Sequence, residues 1–209
     1  MADYSIPQAG TDEEIPKTES GEDLGVGSGY WHENLGLLPT FSTWSQVTML
    51  HMYFLNVRFR MFHADDAPAW QQHLLDHFFY DAENRMAVNH NMSARGTRNK
   101  YLKDLFVQWR GLIAAYDEGL ARGDAVLAAA VWRNVYKADE EVDVRRLAAI
   151  VSYMRRIFKG LDSLPDSKVA LGEIRFGSPE SELNVVSERS KMMDAPFKTV
   201  EAAPATKKD

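Results

Sequence analysis

Residues 43–62 read TWSQVTMLHMYFLNVRFRMF, a run whose apolar side chains would cover almost every side of a helix. Its length is about what spans a bilayer. It also carries His51, Asn56, Arg58 and Arg60, and each central Arg costs roughly 2.5–3.5 kcal/mol to place in lipid. A transmembrane reading is therefore rejected. A helix apolar all round lies at the centre of a bundle or is covered by something outside the chain. Both uses are open here, and the methionines suit a surface that adapts to a partner. Aromatic and Arg side chains dominate binding interfaces, so Trp44, Phe54, Arg58 and Phe62 are the candidates for holding a partner or client. Arg58 is read as a surface residue whose reversal barely alters folding, with Arg60 on the next face as its control.

The rest of the chain follows a helical pattern. Leu37-Leu38-Pro39 leads into this first helix, capped by Thr40 or Ser42 and ending near His63. Asp65 or Asp66 caps a second, with Pro68 in its first turn; Trp70, Leu74 and Phe78 recur at four-residue spacing, and residues 86–92 (MAVNHNM) break it. Ser93 is a plausible cap for a third, with the stripe Leu102, Leu105, Phe106, Trp109, Leu112, Ile113, Tyr116 and Leu120. Arg122-Gly123-Asp124 is a stop–start signal, Asp124 capping a fourth helix with Leu127, Val131, Trp132 and Val135 inward. Asp143 caps a fifth, which Pro165 closes. Residues 168–176 (KVALGEIRF) look extended. The expected fold is all-α, a single bundle of about five main helices over residues 29–177.

Charge divides the chain. Of its 30 acids and 24 bases, residues 1–28 hold seven acids against Lys17 alone, which is the whole net charge of −6. Rich in Gly, Ser and acids, 1–28 are expected to stay disordered, and 178–209 to form a mobile tail. The acidic start resembles neither a secretory signal nor an arginine-rich presequence. With no cysteine, thiolate catalysis, disulfides and thiolate metal sites are excluded.

Few residues suggest chemistry. His73, His77 and Asp81 fall at i, i+4 and i+8, with Asp76 nearby, a spacing that suits zinc. Leu74 stands where a zinc protease carries glutamate, no fourth ligand is evident, and the simpler reading is a solvated face. No metal or cofactor is assigned. Asp117 and Glu118 point about 100° apart on a helix, which suits an ion pair with Arg133 better than shared acid–base work. Trp132, next to Arg133, is expected to be buried. Arg95, Arg98, Lys100 and Lys103 crowd the start of the third helix, and Arg145, Arg146, Arg155, Arg156 and Lys159 decorate the fifth. These are solvated faces or, functionally, a patch for RNA or anionic lipid.

Several strings together resemble the ubiquinol–cytochrome c chaperone family: Tyr30-Trp31-His32; Leu37-Leu38-Pro39-Thr40-Phe41-Ser42-Thr43-Trp44 and on to His51; His77-Phe78-Phe79; Ala115-Tyr116-Asp117-Glu118-Gly119-Leu120; Leu127 to Asn134; Tyr153-Met154-Arg155; Leu161-Asp162-Ser163; and Gly172-Glu173-Ile174. The resemblance implies a non-enzymatic assembly factor for respiratory complex III on the matrix side of the mitochondrial inner membrane, peripherally associated with it. It further implies a heterodimer with a small partner protein, placed near the mitoribosomal tunnel exit, that receives newly made cytochrome b. An RNA- or ribosome-binding module using Arg95, Arg98, Lys100 and Lys103 is the alternative, and a small helical metal-binding protein a lesser one.

Overall fold

The computed structural model describes residues 2–7 and 15–189. Among these residues eight helices follow in order: α1 (Tyr30–Glu33), α2 (Phe41–Phe59), α3 (Ala67–Val88), α4 (Arg95–Arg122), α5 (Asp124–Val135), α6 (Val144–Asp162), α7 (Asp166–Ala170) and α8 (Glu182–Ser187). No strand occurs among the described residues; two isolated bridges, Ser5–Val26 and Lys17–Asp23, join parts of the N-terminal segment. The five long helices are those expected, in an all-α bundle.

Capping explains some boundaries and not others. The Thr40 hydroxyl accepts from the Thr43 amide and starts α2, and the Asp143 carboxylate does the same for α6 from Arg145. Ser93 does not cap α4. Ala94 holds that position, while Arg98 reaches back to the Met92 and Ser93 carbonyls and satisfies the turn instead. Asp124 is the first residue of α5, and its carboxylate binds Arg155 of α6.

Helix α2 runs through the middle, against α3, α5 and α6, while α4 packs on α3 and α5. Val47, Met49, Leu50, Tyr53 and Phe54 are fully buried. What a flank of helices cannot cover, other parts of the chain do. Trp31 of α1 sets its ring 5.7 Å from His51, and Phe176 lies 5.1 Å from His51 and 5.9 Å from Phe54. The all-round apolarity of α2 is thus consumed inside the protein.

Two segments differ from expectation. The acidic start is laid on the bundle over 2–7 and 15–28: Tyr4 is buried and its hydroxyl meets His90, Asp23 binds the other His90 nitrogen, Asp3 pairs with Arg85 and Glu22 with Lys137. Asp3, Glu22 and Asp23 find basic groups on the bundle, which composition alone does not reveal. At the other end 168–176 is not uniformly extended. Pro165 opens the short α7 with Val169 buried, and Ile174 and Phe176 pack back on the core beyond it. Beyond 178, α8 buries Glu182, which binds Arg156 and Ser152; 190–209 lie outside the described residues.

Candidate functional site

The α2 candidates separate by depth. Trp44 is 2% exposed and stacks on Phe78, and Phe54 is fully buried. Neither side chain reaches the surface. Arg58, expected at the surface, is 5% exposed. Its Nε donates to the Leu161 carbonyl at 3.1 Å, and one Nη donates to the Leu164 carbonyl at 2.8 Å and to Asp166. The guanidinium thus ties the end of α2 to the turn between α6 and α7. Removing it takes a charged donor from each carbonyl, so the expected insensitivity of folding to Arg58 does not hold. Sequence hides the burial of so polar a group because the apolar face it joins is formed by residues a hundred positions away.

Phe62 alone of the four reaches solvent. It is half-buried just past α2, in ring contact with Phe59 at 5.3 Å and Trp70 at 5.6 Å, while Met61 beside it is 57% exposed. Met61 also borders a cleft of about 480 Å³ lined by Val57, Leu120, Phe158 and Leu161 together with Arg155, Lys159 and Asp162. This apolar corner, just past the end of α2, is exposed to solvent.

The pair expected for Arg133 is absent. Arg133 is exposed and makes no ion pair among the described residues. Asp117 turns the other way, accepting from the Tyr53 hydroxyl at 2.8 Å and Arg60 at 2.9 Å, and Glu118 pairs with Arg122 one turn on. The two acids do diverge on the helix, but toward α2 and along α4. Gly119 follows because α5 comes close: a Cβ there would lie 2.6 Å from the Leu127 Cα. Trp132 is half-buried, its indole N–H donating to the Asp139 carbonyl. Its spacing alone overstates its burial.

At the start of α4, Arg98 is taken up by Glu83 and the turn carbonyls, whereas Arg95, Lys100 and Lys103 stand exposed. The α3 set does not converge. His73 and His77 are exposed, Asp76 accepts from Gln72 and Asp81 binds Arg85. Among the described residues no three His, Asp or Glu side chains are grouped to hold a metal ion.

The family model for the ubiquinol–cytochrome C chaperone matches residues 33–176, which takes in α2 to α7 and the returning Phe176. The chain belongs to the ubiquinol–cytochrome c chaperone family. Among relatives of this chaperone-family domain, the Saccharomyces cerevisiae protein CBP3, mitochondrial, is 37% identical over 158 residues, 76% of this chain and 47% of that protein. The ubiquinol–cytochrome c reductase complex assembly factor 1 of Mus musculus is 31% identical over 146 residues, 66% of this chain and 45% of its own length. Its Xenopus laevis namesake is 29% identical, with 68% and 70% covered. The chain thus spans a little under half the length of the first two. No solved structure matches it.

Within the chaperone-family domain, sequence reasoning missed His51. Its Nδ1 donates to the Val47 carbonyl at 2.7 Å and its Nε2 accepts from the Tyr153 hydroxyl at 2.9 Å. Burial lowers its pKa to about 4, so the ring is neutral. The available signal was a lone histidine in an apolar run, which most often means a satisfied core residue. No described helix is long and apolar enough to cross a membrane.

Proposed function

We propose that this chain is the folded chaperone domain of a complex III assembly factor. It holds newly made cytochrome b together with a small partner protein, as a heterodimer near the mitoribosomal tunnel exit. It works on the matrix side of the mitochondrial inner membrane, peripherally attached, and it acts by binding and not by catalysis. The observation that carries this reading is the family match over 33–176, the same residues that build the bundle. Two relatives named as assembly factors of the ubiquinol–cytochrome c reductase complex support it.

The surface best fitted to an apolar client is the corner of Met61 and Phe62 with the cleft of Val57, Leu120 and Phe158. An exposed apolar patch edged by charged groups, here Lys159 and Asp162 with Arg155 paired to Asp124, takes a membrane-protein segment by burial in the middle and polar contacts at the edge. The test is capture of radiolabelled cytochrome b by the tagged chain in mitochondria translating their own messages. Met61→Glu adds a charge at an exposed position, so it should leave the melting temperature nearly unchanged while lowering recovery about five-fold or more. Unaltered recovery from a folded Met61→Glu variant refutes this surface. Failure of the wild-type chain to recover any cytochrome b refutes the function.

A further inference from the structure

Helix α4 is 28 residues long, and its first half extends a face away from the core. Leu105, Trp109 and Leu112 point inward and are buried. At about 100° per residue, Arg95, Asn99, Lys100, Lys103, Phe106, Val107 and Arg110 span an arc of roughly 140° outside that buried line. Every one of them is exposed. Val107 is 69% exposed and Phe106 42%, and Phe106 makes ring contact with Phe79 of α3, next to Tyr80 at 78%. The four bases, Arg95, Lys100, Lys103 and Arg110, have no carboxylate partner among the described residues, although the molecule carries excess acid. No acid lies in the stripe. Asp104 falls on its flank, toward a separate cleft with Tyr101, Leu105 and Gln108. On the neighbouring α3, Glu83 is held by Arg98 and Asp81 by Arg85, while Asp76, nearer the start of that helix, accepts from the Gln72 amide.

We propose that this face of α4 is a docking surface for an anionic phospholipid bilayer. The stripe is about 22 Å long at 1.5 Å per residue, with Phe106 and Val107 flanked by cations toward both ends. That arrangement lets apolar groups enter the headgroup boundary while Lys and Arg stems reach up to phosphates. Distant acids matter little, because salt screens charges beyond roughly 8–10 Å. RNA is the less favoured occupant. Phe106 and Val107 sit on a convex helix, and the hollow beside them, between Asn99, Leu102 and Lys103, is local to α4 and does not run on as a groove that tracks a strand. The inference rests on the proposed function only for setting the domain beside a membrane; the surface itself is read from α4.

The test is flotation of the purified full chain with vesicles of phosphatidylcholine, with and without phosphatidylglycerol. The chain should bind the anionic vesicles and not the neutral ones, and added salt should weaken binding. Each reversal among Lys100→Glu, Lys103→Glu and Arg110→Glu should lower the affinity about five-fold or more. All three positions are exposed, so circular dichroism should be unchanged. A control of equal charge, Arg133→Glu with Arg145→Glu and Lys168→Glu, all exposed and outside both proposed surfaces, should bind like the wild type. Equal binding to both vesicle types, no binding to either, or equal loss in the control overturns the proposal. So does a triple reversal that abolishes binding to an RNA oligonucleotide while vesicle binding persists. If vesicle binding follows this pattern but cytochrome b is never captured, the assembly reading falls and the lipid surface stands.

Discussion

Arg58 shows how one residue changes meaning with its surroundings. Its side chain is 5% exposed yet pairs with an aspartate that is 60% exposed. The strong contacts are the two backbone carbonyls at the end of α6, which meet the guanidinium out of water. Hydrogen bonds from a charged group are worth about 1.5–3 kcal/mol, whereas a pair with an exposed carboxylate contributes under about 1 kcal/mol. Arg58→Met should therefore lower the unfolding free energy by about 3 kcal/mol, and Asp166→Asn by less than about 1 kcal/mol. Urea titrations of the two variants check the ranking, and equal losses would show that the ion pair matters more than the carbonyls. The residue is legible in the sequence as a polar interruption in an apolar run, but its depth is not, because Leu161 and Leu164 are far along the chain.

At the scale of the element, α4 is the most legible helix, since eight apolar positions recur at its period. Its glycines divide by what faces them. A Cβ added at Gly111 would meet nothing within 4 Å, whereas the same carbon at Gly119 would strike the backbone of Leu127. Gly111→Ala should accordingly stabilise the protein by about 0.5–1 kcal/mol through helix propensity alone. Gly119→Ala should destabilise it by about 1–3 kcal/mol, because α5 must move away. Thermal unfolding of both variants decides this, and a stabilised Gly119→Ala would mean that the two helices can separate freely. The sequence offers Gly119 within a familiar string, but a helical glycine does not announce which helix approaches it. The same limit applies to Arg133. Its spacing suggests a carboxylate on the neighbouring helix, yet Asp117 is engaged by Tyr53 and Arg60 from the α2 side.

For the molecule as a whole, acid should be felt through the centre. His51 is neutral when folded with a pKa of about 4, against 6.5 when exposed. As pH falls below 6.5 the unfolded chain takes up a proton that the folded one refuses, so stability present above 6.5 is lost progressively down to about 4. That window should contribute roughly 3 kcal/mol of acid sensitivity. Denaturant unfolding at stepped pH should show a shallower acid limb in His51→Gln than in the wild type, and identical limbs would place the sensitivity elsewhere. The five long helices, their order and the all-α class are legible in the sequence by itself, because periodicity, glycine punctuation and capping residues act over a few positions, whereas the short α1, α7 and α8 are not. It also carried the family, through strings spread across the domain. Three outcomes follow only from the assembled fold: which apolar face of α2 is covered, the interior position of Arg58 and His51, and the packing of residues 2–7 and 15–28 on the bundle. Each of those outcomes depends on groups from distant parts of the chain meeting in space, where burial and charge pairing are settled jointly.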